Sequence, residues 1–249
     1  MTTVPPAVAA DRVTVRYGEV QALTEVSLTV GPGRICGLIG ANGSGKSSFF
    51  GALTGLVPLS SGTVALHGQP PSRARSQGLV AYVPQAERVD WSFPVRVRDM
   101  VMMGRYAHMG ITRRPRTGDH AAVDNGLDRL GLRELAHRQI GELSGGQRKR
   151  AFVARAIAQG AAVLLLDEPF AGVDARSQHT LTMVLRDLAA TGHTVVVSTH
   201  DLGNLTTLCD EVALLHQCLL AHGPPQTVLT SEHLAGIFTV PTAPLGAQP

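Results

Sequence analysis

At 249 residues the chain is long enough to bury a substantial core without staples, as one large α/β domain or two small ones. Its formal net charge of +3 comes from interspersed basic and acidic residues, which gives little electrostatic drive toward nucleic acid, and no nucleic-acid partner is expected. Apolar runs such as Ala161 to Leu166 fall far short of the roughly 20 residues that cross a bilayer, and the N-terminus lacks a basic segment followed by an apolar one, so a cytosolic location is expected.

The first elements read as an antiparallel pair, Arg12 to Tyr17 and Val26 to Val30, parted by a turn at Gly18. Arg34 to Ile39 is a compact apolar strand that runs into GANGSGKS, after which Ser47 to Leu56 continues as a helix. Short strands follow at Thr63 to Leu66 and Leu79 to Val83. The stretch from Val95 to Gln159 reads as mainly helical, with no evident strand. Val163 to Leu166 is then a buried strand, Arg176 to Ala190 a helix and Thr194 to Ser198 another strand, an alternation that implies a parallel sheet. Two more short strands are expected at Glu211 to Leu215 and Leu219 to Ala221. One α/β core interrupted by a helical subdomain over about 86–160 accounts for the pattern. The segment 241–249, rich in Pro and Gly, reads as a loose tail.

Chemistry concentrates in three places. Gly40 to Ser47 fits the P-loop pattern, in which backbone N–H groups at Gly40, Asn42, Gly43, Ser44, Gly45 and Ser48 and a helix N-terminus face phosphate oxygens. Lys46 supplies a cation to the β/γ-phosphates and Ser47 a hydroxyl for Mg²⁺. VLLLDEP, Val163 to Pro169, places two carboxylates at the end of a buried strand. Asp167 suits the Mg²⁺ sphere through water, and Glu168 is the candidate general base that orients the attacking water. The third place is LSGGQ, Leu143 to Gln147, where Ser144, Gly145, Gly146 and Gln147 open a helix and offer unpaired N–H groups and a hydroxyl to an anion. A plain Ser/Gly helix cap would be the bland reading of SGG alone.

LSGGQ twenty residues before a DEP strand resembles the signature of the ABC superfamily, and the resemblance extends over nearly the whole chain. It implies an ABC-type P-loop NTPase fold with a small antiparallel β-subdomain and an inserted helical signature subdomain, binding ATP and Mg²⁺. By resemblance, Tyr17 in VRYG stacks on adenine. Gln85 in YVPQ senses Mg²⁺ and the attacking water at the hinge to the helical subdomain. Asp174 in AGVD belongs to the loop that crosses between subunits, and His200 in VVVSTH contacts the γ-phosphate. The resemblance further implies an ATP-sandwich dimer of two copies, the P-loop of one facing the LSGGQ of the other. Such a dimer would drive separate membrane permease subunits and, indirectly, a substrate-binding protein from the cytoplasmic face of the membrane. Met100, Val101, Met102 and Met103 read either as an apolar docking patch for those subunits or as core filling.

Val89 to Tyr106 and PFAGVD, Pro169 to Asp174, are similar to ATPases of manganese, zinc and iron uptake systems, which makes import of a transition metal ion the expected task. An iron-siderophore or cobalamin importer shares the MGRY-like segment and stands as the alternative. A soluble, non-transport ABC protein would need features that the chain lacks, such as a long coiled-coil insertion, a second ATPase module or a basic stripe. An unrelated P-loop kinase or GTPase conflicts with LSGGQ together with His200. The ten histidines show no metal-site spacing, and Cys36, Cys209 and Cys218 are too scattered for a ligand set, so they read as core or surface thiols of a reducing compartment.

Overall fold

Two sheets share one chain. The computed structural model describes residues 5–85, 94–200, 202, 203 and 205–238. An antiparallel sheet of order β2-β1-β4 is built from β1 (Val8–Tyr17), β2 (Val20–Val30) and β4 (Ser61–Leu66). The larger sheet, of order β5-β6-β7-β3-β8-β9, contains β3 (Ile35–Ile39), β5 (Val80–Val83), β6 (Val163–Asp167), β7 (Thr194–Thr199), β8 (Glu211–His216) and β9 (Cys218–Gly223). All of its pairings are parallel except β8 with β9. The helices are α1 (Lys46–Thr54), α2 (Pro71–Ser76), α3 (Val97–Met102), α4 (Thr117–Arg129), α5 (Gly145–Gln159), α6 (Ala175–Ala190), α7 (Leu205–Leu208), α8 (Pro225–Val228) and α9 (Ser231–Phe238).

The central strands β3, β6 and β7 are buried along their whole length because both faces are covered. Alternate residues enter two different cores. Ile35, Leu164, Leu166, Val195 and Val197 pack toward α5, α6 and the helical segment, whereas Cys36, Leu38, Leu165, Val196 and Ala213 pack toward α1 and the antiparallel sheet. The second core therefore welds the β-subdomain to the strand that carries the P-loop. The helical subdomain is tied down through α5. Gly126 lets α4 cross that helix closely, since a Cβ there would lie 2.7 Å from the Ala154 carbonyl oxygen. Arg105 joins Asp119 at 2.9 Å and donates to the Ala158 carbonyl at 2.8 Å.

The expected class and strand order along the chain hold, and several boundaries move. β1 begins at Val8 rather than Arg12, because Arg12, at φ 44°, sits in an irregularity that breaks the alternation while Val8 to Ala10 still pair on both sides. The short helix α2 was unforeseen in a polar stretch, although Pro71 in its first turn and Gly78 just beyond it are start and stop signals. The helices α7, α8 and α9 were likewise not anticipated. Among the described residues of 94–160 there is no strand, only an isolated bridge between Arg96 and Gln139. The methionine run divides: Met100 and Val101 are core residues of the helical subdomain, Met102 is half-buried and Met103 is exposed, so it is not one continuous patch. Residues 86–93, in the segment that carries the resemblance to metal-uptake ATPases, and the tail 241–249 lie outside the described residues.

Candidate active site

The loop from Gly40 to Gly45 leaves the C-terminal end of β3 and enters α1, and its path requires glycine at two positions in particular. A Cβ at Gly40 would lie 2.3 Å from the Leu215 carbonyl oxygen and 2.3 Å from Ser44 Oγ. Gly45, at φ 99°, would place one 2.6 Å from Leu23 Cδ2 and 2.7 Å from the Ala22 carbonyl oxygen. The β-subdomain is thus pressed against the loop, and β9's neighbour Gln217 fastens it from the other side through its N–H to Ser44 O at 2.8 Å. Lys46 is buried, and its Nζ donates to the Gly40 and Ala41 carbonyls at 2.7 and 3.0 Å. Burial lowers its pKa, while the Glu168 and Asp167 carboxylates act in the opposite sense.

The parallel pairing of β3, β7 and β6 brings the carboxylates to this loop. Asp167 ends β6, and its Oδ2 accepts from Ser47 Oγ at 3.0 Å and from the Tyr82 hydroxyl at 3.4 Å. Its Oδ1 accepts from Ser198 Oγ at 2.6 Å. The same Ser198 oxygen accepts from the Glu168 N–H at 2.9 Å, so one hydroxyl positions both acidic residues. Glu168 has a left-handed backbone at φ 50°, a conformation that costs a non-glycine residue roughly 1–2 kcal/mol. Lys149 Nζ stabilises it by donating to the Glu168 carbonyl at 3.2 Å and also to the Ala171 carbonyl. The Glu168 carboxylate lies 3.3 Å from His200 Nδ1; the side chains are 10% and 56% exposed, respectively.

A cleft of about 450 Å³ joins these groups: Asn42, Gly43, Ser44, Gly45, Lys46, Ser47, Ser48, Gln85, Asp167 and Glu168 all line it. Tyr17 is half-exposed at the end of β1, with its hydroxyl 3.4 Å from Ser48 Oγ. The paired oxygens of Ser47 and Asp167 are hard donors of the kind that suit Mg²⁺. Sequence reasoning missed Ser198, Tyr82, Lys149 and the β2 residues Val20, Gln21 and Ala22 that complete the wall. Ser198 stands two residues before His200 at the end of an apolar strand and was legible in principle; the β2 contribution is purely tertiary.

Ser144, Gly145, Gly146, Gln147 and Asp174 gather elsewhere. Ser144 caps α5 in a reciprocal pair: Gln147 N–H donates to its Oγ at 3.3 Å, and its own N–H donates to Gln147 Oε1 at 2.9 Å. Asp174 caps α6 by accepting from Ser177 N–H at 2.9 Å, a bond that holds its carboxyl below the usual range. A Cβ on Gly146 would lie 3.2 Å from Asp174 Oδ2, so the two helix starts abut. Ser144, Gln147, Asp174 and Arg176 line a second cleft of about 400 Å³ that shares no residue with the first. One chain thus carries two separate clefts.

Among the described residues no helix is long and apolar enough to cross a membrane. Residues 23–171 match the family model described as ABC transporter; Tyr17 and His200 lie outside that span. Over 94% of its length the chain is 48% identical to the chelated iron transport system membrane protein YfeB of Yersinia pestis, covering 80% of that protein. Over 93% it is 46% identical to the manganese transport system ATP-binding protein MntA of Synechocystis, covering 89% of it. A solved chain from an inward-facing transporter assigned to the metal-chelate type superposes with a TM-score of 0.83 at 30% identity, over 95% of this chain and 90% of that one. With the matched span covering more than half its length and these relatives nearly all of it, the chain belongs to the ABC transporter family, as one of its ATPase subunits.

Proposed function

We propose that this chain hydrolyses MgATP to energise import of a transition metal ion, manganese, zinc or iron, through permease subunits bound at the cytoplasmic face of the membrane. The observation that carries the chemistry is the meeting of Lys46, Ser47, Asp167, Glu168 and Gln85 in one cleft. Loop N–H groups and Lys46 bind the phosphates, Tyr17 stacks on adenine, and Ser47, Gln85 and Asp167 hold the cation. When bound, Mg²⁺ neutralises charge on the β- and γ-phosphate oxygens. Glu168 orients the water for in-line attack, and His200, 3.3 Å from it, reaches toward the γ-phosphate. The second cleft, with Ser144, Gln147 and Asp174, completes the site of a second copy, so that two chains enclose two nucleotides.

The cargo reading rests on near-full-length similarity to relatives named for manganese and for chelated iron transport. A siderophore- or cobalamin-type chelate is the second reading, favoured by the iron-chelate relative. Purifying the intact transporter with its substrate-binding protein and measuring what that protein carries separates the two. A bare metal ion that also stimulates ATP hydrolysis supports the first; an organic chelate supports the second. A complex that responds to neither overturns both.

A further inference from the structure

At the end of the large sheet opposite the P-loop, three side chains of different chemistry converge from positions remote in sequence. Cys36, the second residue of β3, is in register with Glu211, the first of β8, and His222 of β9 is in register with Ala213. Alternation along β8 puts Glu211 and Ala213 on one face, so all three side chains enter the same side of the sheet. Cys36 Sγ, a Glu211 carboxylate oxygen and a His222 ring nitrogen all lie within 4.8 Å of one another, and His222 Nε2 is 3.1 Å from Glu211 Oε2. Among the described residues this is the one group of three such ligands so close together.

The local electrostatics leave a specific deficit. Glu211 Oε1 is buried with no hydrogen-bond partner, and Cys36 is fully buried. Burial first, and the Glu211 carboxylate second, push the Cys36 thiol well above its ordinary pKa. A cation there would partner the orphaned Glu211 oxygen, and Glu211 and His222, 21% and 26% exposed, leave a route from solvent.

We infer that Cys36, Glu211 and His222 form a binding site for a thiophilic divalent cation of the zinc class, with one sulfur, one oxygen and one nitrogen ligand and a fourth position filled by water. The donor set decides the class: thiolate and imidazole favour zinc and its borderline-soft neighbours, whereas magnesium and manganese favour oxygen. This site is therefore distinct in preference from the Mg²⁺ position beside Ser47. Binding breaks the Cys36 S–H bond, forms a sulfur–metal bond and releases one proton to solvent, with no change of oxidation state. It ties β3, which leads directly into the P-loop, to β8 and to the edge strand β9.

The test uses the full-length chain, stripped of metal and titrated with Co²⁺ as a spectroscopic probe. One equivalent should bind with a thiolate-to-cobalt charge-transfer band, and Zn²⁺ should displace it while excess Mg²⁺ or Mn²⁺ does not. Cys36→Ser should abolish the band. His222→Gln, a half-buried change on an edge strand, should weaken binding by roughly tenfold or more, since even outer-shell changes cost about that. Cys209→Ser and Cys218→Ser should leave the band intact; Cys209 packs in the opposite core, beside Gly37. Absence of a thiolate band in the unaltered chain would overturn the assignment. So would a band that survives Cys36→Ser, or unchanged affinity in His222→Gln with ATP binding retained.

Discussion

Glu168 combines a strained backbone with a fixed surround, since Ser198 holds its N–H and Lys149 its carbonyl. On the proposed reading Glu168 is the general base, held in place through its backbone while its carboxylate lies 3.3 Å from His200 Nδ1. Glu168→Gln should therefore keep MgATP affinity while lowering turnover by about 10²–10⁴-fold, the usual worth of a general base; single-turnover hydrolysis against nucleotide binding checks it. Ser198→Ala should leave Asp167 Oδ1 and the Glu168 N–H each without its partner, at a cost on the order of 1–3 kcal/mol per buried group. The unfolding temperature should fall and hydrolysis with it, although Ser198 does not itself line the cleft. Tyr17→Ala should weaken ATP binding by roughly 1–3 kcal/mol, as loss of base–aromatic stacking does in nucleic-acid sites, and Tyr17→Phe should be tolerated. Equal affinity in the alanine variant would make Tyr17 an ordinary strand-end residue.

At the scale of elements, the P-loop is shaped by its neighbours as much as by its own sequence. The Leu215 carbonyl of β8 occupies the space a Cβ at Gly40 would need, and backbone cannot yield as a flexible side chain does. Gly40→Ala should accordingly lower both the unfolding temperature and ATP affinity, whereas Gly43→Ala, with open space around its Cβ position, should suffer only the strain of its positive φ. The start of α5 has a different logic. Ser144 closes a capping box and lines the second cleft, not the first. Ser144→Arg should lose about 1 kcal/mol of capping, leave nucleotide affinity of the single chain nearly unchanged, and suppress ATP-dependent dimerisation measured by sedimentation. Loss of single-chain binding, as expected of Lys46→Ala, would mean that the two clefts are not independent.

For the whole molecule, the proposed two-chain site means that a lone chain, with its two clefts apart, is an incomplete enzyme. Mixing Ser144→Arg with Lys46→Ala should restore part of the hydrolysis, because one of the two composite sites in the mixed dimer then has both surfaces intact; no recovery at any ratio would require strict coupling between sites. The cores offer a further check. Burial pushes Cys209 up to about 12 and Cys36 well above its ordinary range, so a thiolate-seeking reagent should modify only Cys218 in the folded chain. All three thiols should react after denaturation.

What the sequence determined by itself was whatever depends on local spacing. The GANGSGKS turn between strand and helix, the carboxylate pair at the end of VLLLD and the LSGGQ start of α5 are each contained in fewer than ten consecutive residues, and periodicity supplied the parallel core. Breaks in that periodicity hid the first residues of β1, where Arg12 adopts a positive φ, and the polar stretch concealed α2. The tertiary structure alone decided that one serine, Ser198, serves both Asp167 and Glu168, and that β2 walls the cleft. It also divided the methionine run between core and surface. The meeting of Cys36 with Glu211 and His222 belongs to the same class. Cys36 stands more than 170 residues before the other two, and only the pairing of β3 with β8 and of β8 with β9 converts that separation into a distance of a few ångströms.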